Sequence, residues 1–128
     1  MKNLRLYQRI HREAHEAGMA AGQAAAVVPM IVGSPSSLFA NDLDPRKPIY
    51  HVPDGVCGFA WVHLSDARQP YARFAKDHLR ALSGYPRGRD IWVREFGQSM
   101  QRKEAYARAY AGVLKQHGIE AYADSRMD

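Results

Sequence analysis

The segment Phe96–Lys103, which joins a predicted strand to a predicted helix, carries the strongest indication of a binding site. A turn at Gly97 leads into a helix start, where backbone N–H groups and the positive end of the helix dipole attract anions. Cations are unfavourable at this end of a helix, yet Arg102 and Lys103 stand in its first turn. The pattern predicts an anion site, although the side chains could instead extend into solvent. Its residues are Arg94, Gln98, Ser99, Arg102 and Lys103.

Three more residues are predicted to bind the same ligand: Trp61, His63 and Arg126. His63 lies on a strand, where we expect it to point opposite Trp61 and to line a pocket if the open face of the sheet binds a ligand. The alternative for His63 is a structural histidine. Arg126 either faces the same pocket as Arg94, forms a salt bridge with the acidic end at Asp128, or belongs to a frayed tail.

The loop Gly84–Arg89 offers a second kind of site, for nucleic acid. Tyr85 could stack on a base while Arg87 and Arg89 contact phosphates. The alternative is a turn whose side chains are simply solvated.

No combination of residues predicts catalysis, a metal or a cofactor. His11 and His15 have the spacing of a metal-binding pair, but Arg12 stands where a zincin has glutamate, and no third ligand is identifiable. Neither a Ser-His-Asp arrangement nor paired carboxylates can be recognised. We therefore expect a protein without a cofactor that is not an enzyme.

The elements that must position these residues form a predicted α+β fold within one domain. An N-terminal helix (residues 1–25) and an extended proline-rich arm (26–53) precede a β-α-β-α-β sandwich with a mixed sheet (54–128). The sandwich is predicted to contain strands at 58–64, 90–95 and 119–125, and helices at 69–82 and 99–117.

The N-terminal helix and the arm could serve an assembly. The helix has a face of small residues from Ala14 to Gly22, suited to close packing on the protein's own sheet or on a partner helix. In the arm, the segments 26–32 and 49–52 are predicted strands, and Pro29 restricts the first to an edge or an extended conformation. We therefore expect a homo-oligomer as one possible assembly, formed through the helix and the arm.

Composition limits the class of protein. The chain has 128 residues and a net charge of +5, with 46% hydrophobic and 24% charged residues, which excludes global disorder. The longest apolar run, Ala24–Val32, is short and contains Pro29, so we predict no membrane partner and a cytoplasmic protein. Cys57 is the one cysteine, which excludes an internal disulfide. The excess of arginine over lysine (13 against 5) suits phosphate recognition or reflects a GC-rich genome.

Four segments together resemble a group of small uncharacterised proteins encoded by tailed bacteriophages. They are His15–Gly22, Cys57–Val62, Gln98–Tyr106 and Ser125–Asp128. The resemblance covers nearly the whole chain and implies a bacteriophage origin and the cytoplasm of an infected bacterium. It assigns no activity and no functional residue.

Three functions are compatible with these observations. The favoured one is a binding protein that captures a small phosphorylated, nucleotide-type ligand, such as an immune signal of the host. The second is an accessory protein that binds nucleic acid through Tyr85, Arg87 and Arg89. The third is a protein-interaction module, either an inhibitor of a host protein or a virion component.

Overall fold

The computed structural model describes residues 3–27, 30–32, 50–52 and 55–128. Within them lie the helices α1 (Leu4–Ala24), α2 (Pro70–His78) and α3 (Met100–Gln116). The strands are β1 (Met30–Val32), β2 (Tyr50–Val52), β3 (Gly58–Leu64), β4 (Leu82–Ser83), β5 (Arg89–Trp92) and β6 (Tyr122–Met127). The predicted α+β class is confirmed. Within the described residues, no helix is long and apolar enough to cross a membrane.

The four-stranded sheet has the order β4-β5-β3-β6, and every neighbouring pair is antiparallel. The predicted mixed sheet is therefore wrong. The cause is β4, which was not predicted and whose first residue, Leu82, was expected to end the preceding helix. Because β4 and β5 form a hairpin, the chain reverses once more before β5, and β5 runs antiparallel to β3 instead of parallel.

Helix α2 ends four residues before the predicted end at Leu82 because the chain turns at Arg80. This residue takes a left-handed conformation with φ 58°. The N–H of Ala81 then donates to the carbonyl of Ala75 at 3.1 Å, which closes the helix end. Leu82 continues the apolar spacing of the helix but lies in β4, opposite Asp90.

The core therefore has the connectivity β-α-β-β-α-β rather than the predicted β-α-β-α-β. Helix α2 joins β3 to β4, two parallel strands that have β5 between them. Helix α3 likewise joins β5 to β6 across β3. Two interleaved crossovers of this kind make the split β-α-β, or ferredoxin-like, motif.

The core lies between one face of the sheet and the helices. Strand β3 contributes the buried side chains of Ala60, Val62 and Leu64. The hydroxyls of Tyr71 in α2 and Tyr110 in α3 meet at 2.6 Å, which shows that the two helices are neighbours. The other face of the sheet is left without a helix among the described residues.

Helix α1 packs against α3 through its small residues. A Cβ added at Gly18 would lie 2.6 Å from Cδ2 of Tyr106, and one added at Gly22 would lie 2.3 Å from Cε2 of Phe96. Ala14, Gly18 and Gly22 are all buried. The small face is thus used inside the chain, against a helix and not against the sheet.

The two histidines of α1 reinforce this packing. His11 Nδ1 lies 2.8 Å from the hydroxyl of Tyr110, and His15 Nδ1 lies 2.6 Å from that of Tyr106. Burial raises the pKa of both tyrosines. Burial lowers the pKa of His11, and neighbouring His15 lowers it further, although Glu95 acts in the opposite direction.

Other predicted elements agree with the structure apart from their ends. Ser99 is the N-cap of α3, its Oγ accepting from the N–H of Arg102 at 3.4 Å. The last strand runs from Tyr122 to Met127, later than predicted, and the frayed-tail alternative for Arg126 is wrong. In the arm, β1 and β2 pair with each other, and residues 33–49 lie outside the described part.

Candidate ligand-binding face

The open face of the sheet carries the aromatic side chains of β3. Alternation along the strand places Ala60 and Val62 towards the helices, so Phe59, Trp61 and His63 point the other way. The prediction that His63 points opposite Trp61 is wrong, because residues two apart in a strand share a face.

Two tryptophans form the centre of this face. Trp61 and Trp92 are register partners on β3 and β5, and their ring centroids are 4.7 Å apart at 33°. Phe59 meets Trp92 edge-on, with the centroids 6.0 Å apart at 76°. All three residues are only half-buried, which leaves ring surface for a planar ligand.

Arg126 extends the aromatic cluster with a cation. It is the register partner of Phe59 on β6. Its guanidinium carbon lies 5.5 Å from the centroid of Phe59 and 5.9 Å from that of Trp92. Arg126 is exposed, and it forms no ion pair with Asp128 or with any other described carboxylate. The guanidinium is therefore available to an anion placed beside the rings.

Lys103 brings a second cation to the same phenyl ring. Its Nζ lies 5.6 Å from the centroid of Phe59 and 3.4 Å from the carbonyl oxygen of Gly58. Only 6% of the residue is exposed, and among the described residues no carboxylate pairs with it. A buried ammonium without a counter-ion is costly, so a bound anion nearby would be stabilised.

Gly58 explains how α3 comes so close to the start of β3. A Cβ at this position would lie 2.7 Å from Sδ of Met100, in the first turn of α3. The main chain adds further contacts, since the N–H of Gly58 donates to the carbonyl of Gln98 and that of Met100 donates to Val56. This approach brings Lys103 to Phe59, whereas Arg126 and Trp61 reach the same face through the pairing of β3 with β6.

Arg94 lies at the same end of the face. The N–H of Val93 donates to the carbonyl of Ala60 at 2.9 Å, which extends the β3–β5 pairing beyond Trp92. In this register the next residue, Arg94, stands opposite Phe59, and it is exposed. Gln98 is also exposed, in the adjacent turn.

Arg102 turns away from the open face towards α1. Its Nη1 donates to the carbonyls of Gly22 at 2.9 Å and Gln23 at 3.0 Å. The last turn of α1 contains no basic residue of its own. Arg102 therefore supplies the positive charge that a helix C-terminus favours, which accounts for one of the two cations at the start of α3.

His63 is enclosed at the far end of the face. Its Nδ1 lies 2.6 Å from Oδ1 of Asp90, and both side chains are buried. Gly84 covers them, because a Cβ there would lie 2.8 Å from Cε1 of His63. Burial raises the pKa of Asp90, and the hydrogen bond with His63 opposes this shift. This environment fits the structural alternative for His63.

The other ring at this end of the face belongs to Tyr122. It is the register partner of His63 on β6, and the two ring centroids are 4.9 Å apart. Tyr122 remains 44% exposed. Between Tyr122 and Arg126, Asp124 is the exposed carboxylate on this side of β6, opposite Trp61.

The predicted nucleic-acid loop lies in the hairpin between β4 and β5. Tyr85 is 91% exposed, and Arg87 is exposed beside it. Arg89 is the register partner of Leu64, at the opposite end of β3 from Phe59. At roughly 3.3 Å per residue, these two ends of β3 are about 16 Å apart. The loop and the Arg126 cluster thus occupy opposite ends of the sheet.

Phe59 and Trp92 were missed by the sequence analysis. Their signal was alternation: Phe59, Trp61 and His63 share one face of a strand whose intervening residues are apolar. On β5, alternation likewise places Trp92 on the face opposite Ile91 and Val93.

Comparison with protein-family models, curated proteins and solved structures finds no match for this chain. In the described part, no three His, Cys, Asp or Glu side chains are grouped closely enough to share a metal ion.

Proposed function

We propose that this protein binds a small phosphorylated ligand of the nucleotide type on the open face of its sheet. The base stacks on Trp61 and Trp92, and Arg126 binds the phosphate. One observation carries the proposal: an exposed guanidinium and a buried ammonium meet at the ring of Phe59, beside a half-buried pair of indoles.

The two parts of the cluster suit the two parts of a nucleotide. Every base has a π-face that stacks on an aromatic side chain, and the indole is the largest such surface in proteins. Arginine donates two parallel hydrogen bonds to a phosphate, and the buried charge of Lys103 raises the positive potential behind the phenyl ring. A ligand with both a planar ring and a negative charge satisfies the whole cluster.

Binding without catalysis fits the same residues. Aromatic rings, an arginine and an unpaired lysine hold charge and orient a ligand, but they do not form a nucleophile–base pair. A bacteriophage protein of this kind would remove a nucleotide immune signal from the cytoplasm of its host. Self-association through α1 and the arm remains a separate prediction.

The test is a thermal unfolding series with AMP, cyclic AMP and ADP-ribose. A ligand that binds only the folded protein raises Tm, and at 100 times its Kd it adds about 2.7 kcal/mol of stability. We expect a rise of several degrees with at least one of these compounds. Arg126→Gln should abolish the rise, whereas Arg73→Gln, an exposed arginine of α2, should retain it.

Two results would contradict the proposal. One is the absence of a shift with all three compounds. The other is an equal shift in the Arg126→Gln protein, which would place the ligand elsewhere on the chain.

A further inference from the structure

We propose that the open face, beyond a single nucleotide, also binds a segment of single-stranded nucleic acid. One base stacks on Trp61 and Trp92 with its phosphate at Arg126, and a later base stacks on Tyr85 in the β4–β5 hairpin. This inference rests on the proposed function, because it extends the same site from one nucleotide to several.

The aromatic surface is longer than one base requires. Phe59 and Trp61 offer rings at one end of the face, and Tyr122 offers a ring at the other, beside the enclosed His63. The strand spans about 13 Å from Phe59 to His63. Leu82 on β4 adds another exposed apolar side chain, with 56% of its surface accessible. Four-stranded sheets with aromatic side chains on their two central strands stack two or three bases in a common class of RNA-binding modules.

The hairpin holds Tyr85 at the far end of this surface. The N–H of Gly84 donates to the carbonyl of Gly88 at 2.9 Å, which closes the loop. Gly88 has φ +97°, and a Cβ there would lie 2.1 Å from the carbonyl oxygen of Leu64. Because both glycines pack tightly on the sheet, the loop is fixed in place. Tyr85 is nevertheless 91% exposed, so its ring is presented to solvent.

The charges favour a polyanion over a single phosphate. Arg126, Lys103 and Arg94 lie at one end of the sheet, and Arg87 lies in the hairpin at the other end. Arg89 is left out, because it is the register partner of Leu64 and therefore points to the helix side of the sheet. A free mononucleotide contacts one of these groups. A single strand that crosses the face places phosphates at both, and each contact makes the affinity more dependent on salt.

Between the two groups, Asp124 is the exposed carboxylate on β6, the edge strand. A nucleic-acid strand that crosses over the central strands β3 and β5 passes to one side of Asp124. Near the hairpin, the Oδ1 of Asp66 accepts from the main-chain N–H and from Nε of Arg68. That carboxylate is therefore already paired when Arg87 meets a phosphate.

The experiment measures fluorescence anisotropy of a labelled octauridylate and its competition by unlabelled UMP and by uridylates of two, four and eight nucleotides. We expect competition to strengthen at least about tenfold from UMP to the tetramer and then to level off, because stacking adds affinity base by base. Tyr85→Ala should weaken octamer binding about five- to tenfold and leave UMP competition unchanged, while Tyr85→Phe should behave as the original protein.

The outcomes separate this inference from the proposed function. If UMP competes as strongly as the octamer, the ligand is a free nucleotide, and the inference fails while the proposed function stands. If the octamer binds more tightly but Tyr85→Ala has no effect, the assigned path is wrong. If the octamer does not bind and AMP, cyclic AMP and ADP-ribose give no thermal shift, the inference and the proposed function both fail. A parallel series in oligothymidylate identifies the preferred sugar, and tight binding of either polymer supports the inference.

Discussion

Arg102 and Lys103 are neighbours in the first turn of α3, but they act in different parts of the molecule. Arg102 donates to the final carbonyls of α1, and Lys103 lies buried at the phenyl ring of Phe59. The sequence analysis grouped them because both are cations at a helix start. Their separation depends on two partners, Gly22 and Phe59, that are far away in the sequence.

This difference predicts that Arg102→Met lowers the stability of the protein without changing its affinity for a nucleotide. The substitution removes the charged donor of two hydrogen bonds at the end of α1, so we expect the free energy of unfolding to fall by about 1–3 kcal/mol. Nucleotide affinity should be unchanged, because Arg102 points away from the open face. Urea unfolding and calorimetric titration with AMP measure the two quantities. A loss of affinity at unchanged stability would instead support the anion site predicted at the start of α3.

Of the ligand-binding residues predicted from sequence, Lys103 and Arg126 both approach Phe59, and Trp61 lies next to them through Trp92. Their residue types were informative, because aromatic rings and unpaired cations suit nucleotides. Their convergence was not predictable, since it depends on the order of three strands and on the approach of α3 at Gly58. The role of His63 was equally hidden, because Asp90 becomes its partner only through the β3–β5 register.

At the scale of elements, the pairing of α1 with α3 decides how the helical layer is built. Gly18 and Gly22 allow the ring of Tyr106 and that of Phe96 to lie directly against the backbone of α1. The sequence showed the small residues but not whether a sheet, a partner chain or a helix would cover them.

Alanine substitutions at two helical glycines test this packing. Gly22→Ala should lower stability by about 1–3 kcal/mol, because its Cβ would overlap the ring of Phe96. Gly112→Ala is the matched control. Outside its own stretch of helix, no heavy atom of the described residues lies within 4 Å of the added Cβ, so the gain in helix propensity should raise stability by up to about 1 kcal/mol. Urea unfolding measures both. Equal effects would show that α1 is not held against Phe96.

The elements also show where a periodic pattern misleads. The apolar spacing of α2 continues to Leu82, and a helix was therefore predicted as far as this first residue of β4. The left-handed conformation of Arg80 ends it at His78, and the short hairpin that follows sets the direction of β5. A strand of two residues has too few positions for alternation to reveal it, so the sheet type was predicted incorrectly.

For the whole molecule, three buried tyrosines link stability to alkaline pH. Burial raises the pKa of Tyr71, Tyr106 and Tyr110 above the ordinary value of 10.0. In the unfolded chain these hydroxyls lose their protons from about pH 10, whereas the folded protein keeps them. The stabilising contribution is therefore complete below pH 10 and is lost as the pH rises further.

We accordingly expect the urea midpoint to fall steadily above pH 10. An absorbance titration at 295 nm should show three of the seven tyrosines ionising only together with unfolding. If all seven tyrosines ionised while the tryptophan fluorescence stayed native, the hydroxyls of Tyr71, Tyr106 and Tyr110 would not be buried as described.

The central claim is that a nucleotide binds on the open face beside Arg126, and the two tryptophans of the chain both lie there. The most direct measurement is therefore a ¹H–¹⁵N spectrum of the two indole N–H signals during titration with AMP. Both signals should shift progressively to a plateau, and Arg126→Gln should reduce or remove the shifts. Indole signals that stay in place while AMP shifts signals elsewhere, or shifts none, would contradict this claim.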